Sequence, residues 1–257
     1  MWVGDFIKVQ TLTEPENTYL RAGDTLIMDE DRYSHNLEQP ALFHFAEAST
    51  GMVELFPAVW GALEELVGPG NANRQSAVDR LVELGAPRLS PLVAYILATR
   101  ISDPDVTFRR RIVQVLGEVL STDEEGHTAP INVIRYINAY LAQMRTRTIF
   151  SLLEVAVLDS SMEFHVAKLL DACPYGGDHL ASILSERKTS LVVRQKAAYM
   201  IGMVGFLDAI PILQRLEERL QARLSGQQAM PFAPPTNPAE AELLPTIRSA
   251  LTLLHSL

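Results

Sequence analysis

Three observations predict an all-α fold, a solenoid of stacked helical hairpins. A short motif recurs along the chain, apolar residues keep helical spacing over most of residues 51–257, and glycine- and proline-rich breaks separate the runs. The motif is a basic residue followed at three and four positions by small or apolar residues, then at seven and eight by an apolar pair or an apolar residue and Gly. Arg74, Ala77, Val78, Leu81 and Val82 fit it, as do Arg109, Ile112, Val113, Leu116 and Gly117, and again Arg194, Ala197, Ala198, Ile201 and Gly202. Arg145, Thr148, Ile149, Leu152 and Leu153 form a weaker copy. The copies step by 35, 36 and 49 residues, so the last interval holds an insertion or a degenerate unit around residues 160–187. One hairpin of this kind cannot bury its own apolar face and needs neighbours of the same kind.

The elements follow in order. Residues 1–50 lack sustained helical periodicity; their β-branched runs and turn residues (Pro15, Gly23) read as an irregular extension or a small β-hairpin. Helix becomes firm over residues 53–67, where Leu55, Val59, Leu63 and Val67 step by four, and Gly68, Pro69 and Gly70 end it. A hairpin follows, with Ala77, Val78, Leu81 and Leu84 on one face, Gly85 and Pro87 at the turn, and Val93, Ile96 and Leu97 beyond. In the next helix Ser102 or Asp103 serves as N-cap and Pro104 as its first turn. Residues 121–130 are a loop. Helical runs over 131–144 and 148–158 come next, then a shorter one over 162–172 capped from Asp159, Ser160 and Ser161. Pro174, Tyr175, Gly176 and Gly177 read as a break before a helix over 179–185. Residues 190–220 are the best-formed hairpin: Val193, Ala197, Ala198, Ile201 and Val204 share a face, Gly205 ends the helix, and Asp208 opens the next. Pro231, Pro234, Pro235 and Pro238 make residues 225–238 an exposed loop, and residues 239–257 are expected to cap the stack with Leu243, Leu244, Ile247, Leu251 and Leu254.

The motif resembles the HEAT repeats, above all the short kind found in bacterial phycobilisome-lyase-type proteins. Asp103 and Arg109 have that family's Asp-Pro to Arg spacing, and Ala209, Pro211 and Leu213 match its second-helix signature. Phe108 stands where the family has Val, and Ile112 and Val113 where it has Ala-Ala. The resemblance covers roughly residues 53–224. It implies a right-handed superhelix, and such solenoids host many roles.

Charge adds a constraint. The net charge is −9, and residues 1–66 hold all of the excess: twelve acidic residues against Lys8, Arg21 and Arg32. The remaining chain is neutral. An acidic head on a neutral body disfavours nucleic acid and anionic lipid, and instead offers an arm that docks a basic partner or folds over the concave surface. The single cysteine, Cys173, precludes an intrachain disulfide, and with no basic, apolar leader at the start the expected setting is the cytoplasm. No apolar run approaches the ~20 residues of a membrane helix.

The leading expectation is therefore a non-enzymatic scaffold that binds a partner protein along its concave helix face, with no cofactor. Arg109, Arg110, Arg111, Gln114, Glu118 and Arg147 are the expected partner-binding set. The plainer reading of Arg109 is a structural arginine bonding a neighbouring helix, with the other two solvated. Tyr199, Met200, Met203 and Phe206 offer a contact patch or, more ordinarily, packing between repeats. Cys173 reads as a buried thiol. The six histidines have no metal-ligand spacing, and the acidic run at 123–125 lacks the alternating ligands of a calcium loop. The resemblance keeps two alternatives open, a HEAT-like DNA alkylation-repair glycosylase and a bilin-lyase-like protein. Eighteen arginines favour the first, and the scarcity of lysine and the neutral body count against it.

Overall fold

A computed structural model describes residues 50–68, 70–123, 125–224 and 241–256, all within the second of the two units into which the chain divides, Gln39–Leu257. The expected extension or hairpin over residues 1–50 lies outside the described residues except for Thr50, which opens the first helix, and the proline-rich loop at 225–238 lies outside them as well. Among those described, the fold is all-α, with no strand.

The helices are α1 (Thr50–Val67), α2 (Asn71–Glu83), the single turn α3 (Ala86–Leu89), α4 (Pro91–Thr99), α5 (Val106–Val119) and α6 (Ile131–Leu141). Then come α7 (Thr146–Leu158), α8 (Glu163–Asp171), α9 (Gly176–Ser185), α10 (Leu191–Val204), α11 (Ile210–Leu224) and α12 (Leu243–His255). Short 3₁₀ turns at Arg100–Ser102, Ser160–Met162 and Leu207–Ala209 lead into or out of them. Contacts run in series from α1 to α2, α5, α8, α10 and α12, while α4 packs on α6, α7 on α5, α9 and α10, and α11 on α12.

The recurring apolar positions build the core. Ala77, Val78, Leu81, Ile112, Val113, Leu116, Ile149, Leu152, Leu153, Ala197, Ala198 and Ile201 all have no exposed surface. The weak copy at Arg145 is thus as well buried at its apolar positions as the strong ones. The basic residue that heads each copy varies more: Arg109 and Arg194 are buried, and Arg145 is exposed.

Two local expectations are corrected. The N-cap of α5 is Asp105, whose carboxylate accepts from the N–H groups of Thr107 and Phe108 at 2.9 and 3.3 Å. Asp103 is left free for longer reach: it accepts from the Asp105 N–H at 3.0 Å and from Arg74 at 2.6 Å. Pro104 accordingly precedes the helix instead of forming its first turn. Gly176 and Gly177 do not break the chain but open α9. A Cβ on Gly176 would lie 2.6 Å from the Phe206 ring, and one on Gly177 2.5 Å from the Asp208 carboxylate. They are glycines because the turn after α10 presses on them. Gly205 does end α10, at φ 88°, with its N–H on Ile201 O at 3.1 Å.

Two further glycines set helix separations. A Cβ on Gly117 would meet His165 Cβ and Nδ1 at 2.6 Å and His165 Cα at 2.9 Å, so α5 and α8 touch backbone to backbone there. A Cβ on Gly202 would meet Ala250 Cα at 2.9 Å, fixing α10 against α12. Gly61, in the middle of α1, has nothing within 4 Å of such a Cβ. Chemical denaturation should therefore find Gly117→Ala destabilising by about 1–3 kcal/mol, the usual cost of overpacking. Gly61→Ala should stabilise by about 0.5–1 kcal/mol through helix propensity alone.

Candidate functional site

The arginine cluster of α5 is divided among three neighbours. Arg109 turns inward, its side chain 6% exposed, and donates to Glu154 of α7 at 2.9 Å and to Ser151 O at 3.4 Å. Arg110 reaches Asp159, just past α7, at 3.0 Å. Arg111 points the other way, to Asp79 of α2 at 2.8 Å, and also donates to Gln114 at 3.2 Å, which itself donates to Glu118 at 2.9 Å. Consecutive helix positions lie about 100° apart, which is why three adjacent arginines address different elements. Each meets a carboxylate, so the run is not a bare cationic surface. Arg147 is exposed on α7, and its carbonyl accepts from the Ser151 hydroxyl at 3.2 Å.

Similar ties recur along the chain. Arg74 pairs with Asp103 and covers the Phe108 ring at 4.9 Å. Arg194 donates its Nε–H to Leu184 O of α9 at 2.8 Å. Lys196 pairs with Glu163, and Arg248 with Glu217 at 2.7 Å.

A well-formed feature open to solvent lies elsewhere, between α8 and α10. It is a cleft of about 540 Å³, within the size range of ligand sites. Ser160 and Ser161 stand at one end. Glu163, Phe164, Ala167, Lys168 and Asp171 line it from α8, and Tyr199, Met203 and Val204 from α10. Phe164 is 57% exposed and Tyr199 38%, and each ring carries a lysine. Lys168 Nζ sits 5.6 Å from the Phe164 centroid, and Lys196 Nζ 5.4 Å from that of Tyr199. Glu163, the first residue of α8, binds both Lys196 and the Tyr199 hydroxyl. Burial and then the Glu163 anion push the Tyr199 phenol above its usual value, so it stays protonated and donates.

The Met/aromatic set of α10 is split by this cleft. Tyr199 and Met203 line it, Met200 is fully buried, and Phe206 packs against Gly176. Phe164 and Lys168 escaped the sequence reading because they sit in the unit that departs from the repeat. The signal for them was there, an aromatic and a lysine four apart on the polar side of a short helix. Cys173 is buried, and burial raises its thiol, as read. Among the described residues no group of three metal-binding side chains converges, and no helix is long and apolar enough to cross a membrane.

Compared with known proteins, the chain matches no family model, no curated protein and no solved structure.

The floor of the site has a pH-sensitive support. Asp159 caps the turn into α8, accepting from the Ser161 hydroxyl at 2.7 Å and the Ser161 N–H at 2.9 Å. The Ser161 hydroxyl first, then its N–H and the Arg110 guanidinium, hold this carboxyl below the usual range. A depressed carboxyl stabilises above the unfolded value of about 4 and loses that contribution as pH falls through its folded value. Amide exchange at Ser161 should therefore accelerate relative to the α10 core as pH falls from the unfolded carboxylate value through the lowered folded one. In Asp159→Asn that relative protection should not change with pH over the same interval.

Removing the buried Arg109 should cost more than removing Arg110. Arg109→Ala gives up two partners and a buried stem, about 2–3 kcal/mol in a urea melt. Arg110→Ala breaks an exposed pair and should fall within the scatter of surface substitutions.

Proposed function

We propose that this chain is a HEAT-like helical-repeat scaffold, a right-handed α-solenoid, that binds another protein on its exposed helix faces, the α8/α10 cleft forming the principal contact. The observation that carries this reading is the pair of exposed rings, Phe164 and Tyr199, each with a lysine over it, that line the α8/α10 cleft. Aromatic side chains already fixed in place lose little freedom on docking and dominate protein contacts. Support for the solenoid comes from the burial of the apolar positions in the four repeat copies, all but the half-buried Val82, and from the serial contacts of α2, α5, α8, α10 and α12. The acidic first quarter adds, from the sequence, a second means of attracting a basic partner.

A DNA alkylation-repair role would need a cationic groove, and Arg109, Arg110 and Arg111 each face a carboxylate. The bilin-lyase reading rests on the repeat resemblance alone.

Photo-crosslinking tests the scaffold reading. A benzophenone amino acid placed in turn at positions 95, 147, 164 and 199 of the full chain, in native lysate, should give a protein adduct from at least one position, strongest from 164 or 199. The absence of an adduct at all four would end it.

A further inference from the structure

We infer that the α8/α10 cleft takes an extended peptide that presents an apolar anchor side chain followed within two residues by a carboxylate side chain. The inference rests on the scaffold reading above and states what the partner must carry.

The cleft has a direction. Ser161, Phe164, Lys168 and Asp171 step by three, four and three residues, so they share one face of α8 and its lead-in turn. At a rise of about 1.5 Å per residue this track is about 15 Å long, which about five residues of extended chain would span. Along it the chemistry changes in order: hydroxyl, aromatic ring, cation, anion.

The anchor position is preorganised. Tyr199 is held by its bond to Glu163 and by the Lys196 ammonium over its ring, and Phe164 by Lys168. Met203 lies one turn beyond Tyr199, and its unbranched, polarizable side chain adapts to whichever apolar group enters.

Charge decides what accompanies the anchor. The two lysines differ: Lys196 is answered by Glu163, whereas Lys168 has a ring contact but no carboxylate within 4 Å among the described residues. A half-buried ammonium beside an aromatic face gains from an incoming carboxylate, a charge-assisted contact stronger than a neutral one. Asp171, one turn further on, likewise has no cation within 4 Å among the described residues, so it takes a backbone N–H or a basic side chain next along the peptide. With Glu163 and Asp171 flanking one uncompensated lysine, the cleft suits a single carboxylate and repels a run of them.

The test is to pan a phage-displayed library of random heptapeptides against the full chain, then measure the affinity of resynthesised winners by fluorescence polarisation. Enriched sequences should share an aromatic or branched apolar residue with Asp or Glu one or two positions later. Phe164→Ala and Lys168→Glu should each weaken them by about tenfold or more, while Lys188→Glu, at an exposed lysine away from the cleft, should leave them unchanged. Panning against Lys168→Glu should select Lys or Arg in place of the acid. Thermal melts confirm that the variants fold, as expected for side chains at the surface. Failure to enrich any peptide, enrichment without the acidic position, or winners that bind Phe164→Ala as tightly as the parent would each overturn the inference. Those last winners, or crosslinked adducts confined to positions 95 and 147, would leave the scaffold reading standing with a different face.

Discussion

Where α5 crosses α8 and where α10 crosses α12 there is no room for a side chain on one partner, and Gly117 and Gly202 supply that absence. Helix packing normally keeps axes about 8–10 Å apart; contact between a glycine and a facing Cα draws them to the short end. The rest of the architecture depends on these two close approaches. α8, drawn against α5 through His165, also meets α10 on its other side, where Glu163 pairs with Lys196. A methyl group at position 117 would collide with His165 on α8, the same helix that lines one side of the cleft.

Charge plays a second, subordinate part. The hydrophobic positions decide that helices stack; the ion pairs decide register. Arg109 to Glu154, Arg111 to Asp79, Arg74 to Asp103 and Arg248 to Glu217 each join elements far apart in sequence, and each would be broken by sliding one helix a turn past its neighbour. Most of these groups are partly exposed, where a pair contributes little to stability, but a mismatched turn would leave the buried Arg109 guanidinium without Glu154. That asymmetry specifies alignment even where it adds little strength.

The all-α class was legible in the sequence because helical periodicity survives without tertiary context. The apolar positions counted from Arg74, Arg109, Arg145 and Arg194 are buried except Val82, which is half-buried, and Gly205 ends α10 as its place in the pattern requires. What misled was local chemistry with two physical uses. Asp103 and Asp105 are equally good caps, and only the position of Arg74, brought near by folding, decides that Asp103 serves elsewhere. Gly176 and Gly177 look like chain breaks, yet their freedom is used to let Phe206 and Asp208 approach. The arginine run was the most conspicuous charge in the sequence, but its counter-charges, Asp79, Glu154 and Asp159, lie 32 to 49 residues away from it and could not be paired by inspection. The solvent-facing chemistry instead falls in residues 160–171, in the interval where the repeat is irregular.

That irregularity has a physical logic. In a regular repeat, every helix position either packs on the next copy or faces solvent in the same way as its counterparts, so the stack offers few distinctive surfaces. Inserting a short helix between two copies interrupts this. α8 has nine residues, too few to shield its own flank, and it meets α5 on one side and α10 on the other without the full set of apolar positions that the stronger copies carry. Its remaining face therefore shows side chains that stacking does not prescribe. Phe164 sits there more than half exposed, at a hydrophobic cost that packing alone would remove by placing a polar residue in its stead. Lys168 and Asp171, both lining the cleft from that helix, each lack an oppositely charged partner within 4 Å among the described residues, whereas Lys196 on the facing helix is paired with Glu163. An exposed ring and two such charges gathered on one short element are the features on which the proposed contact rests.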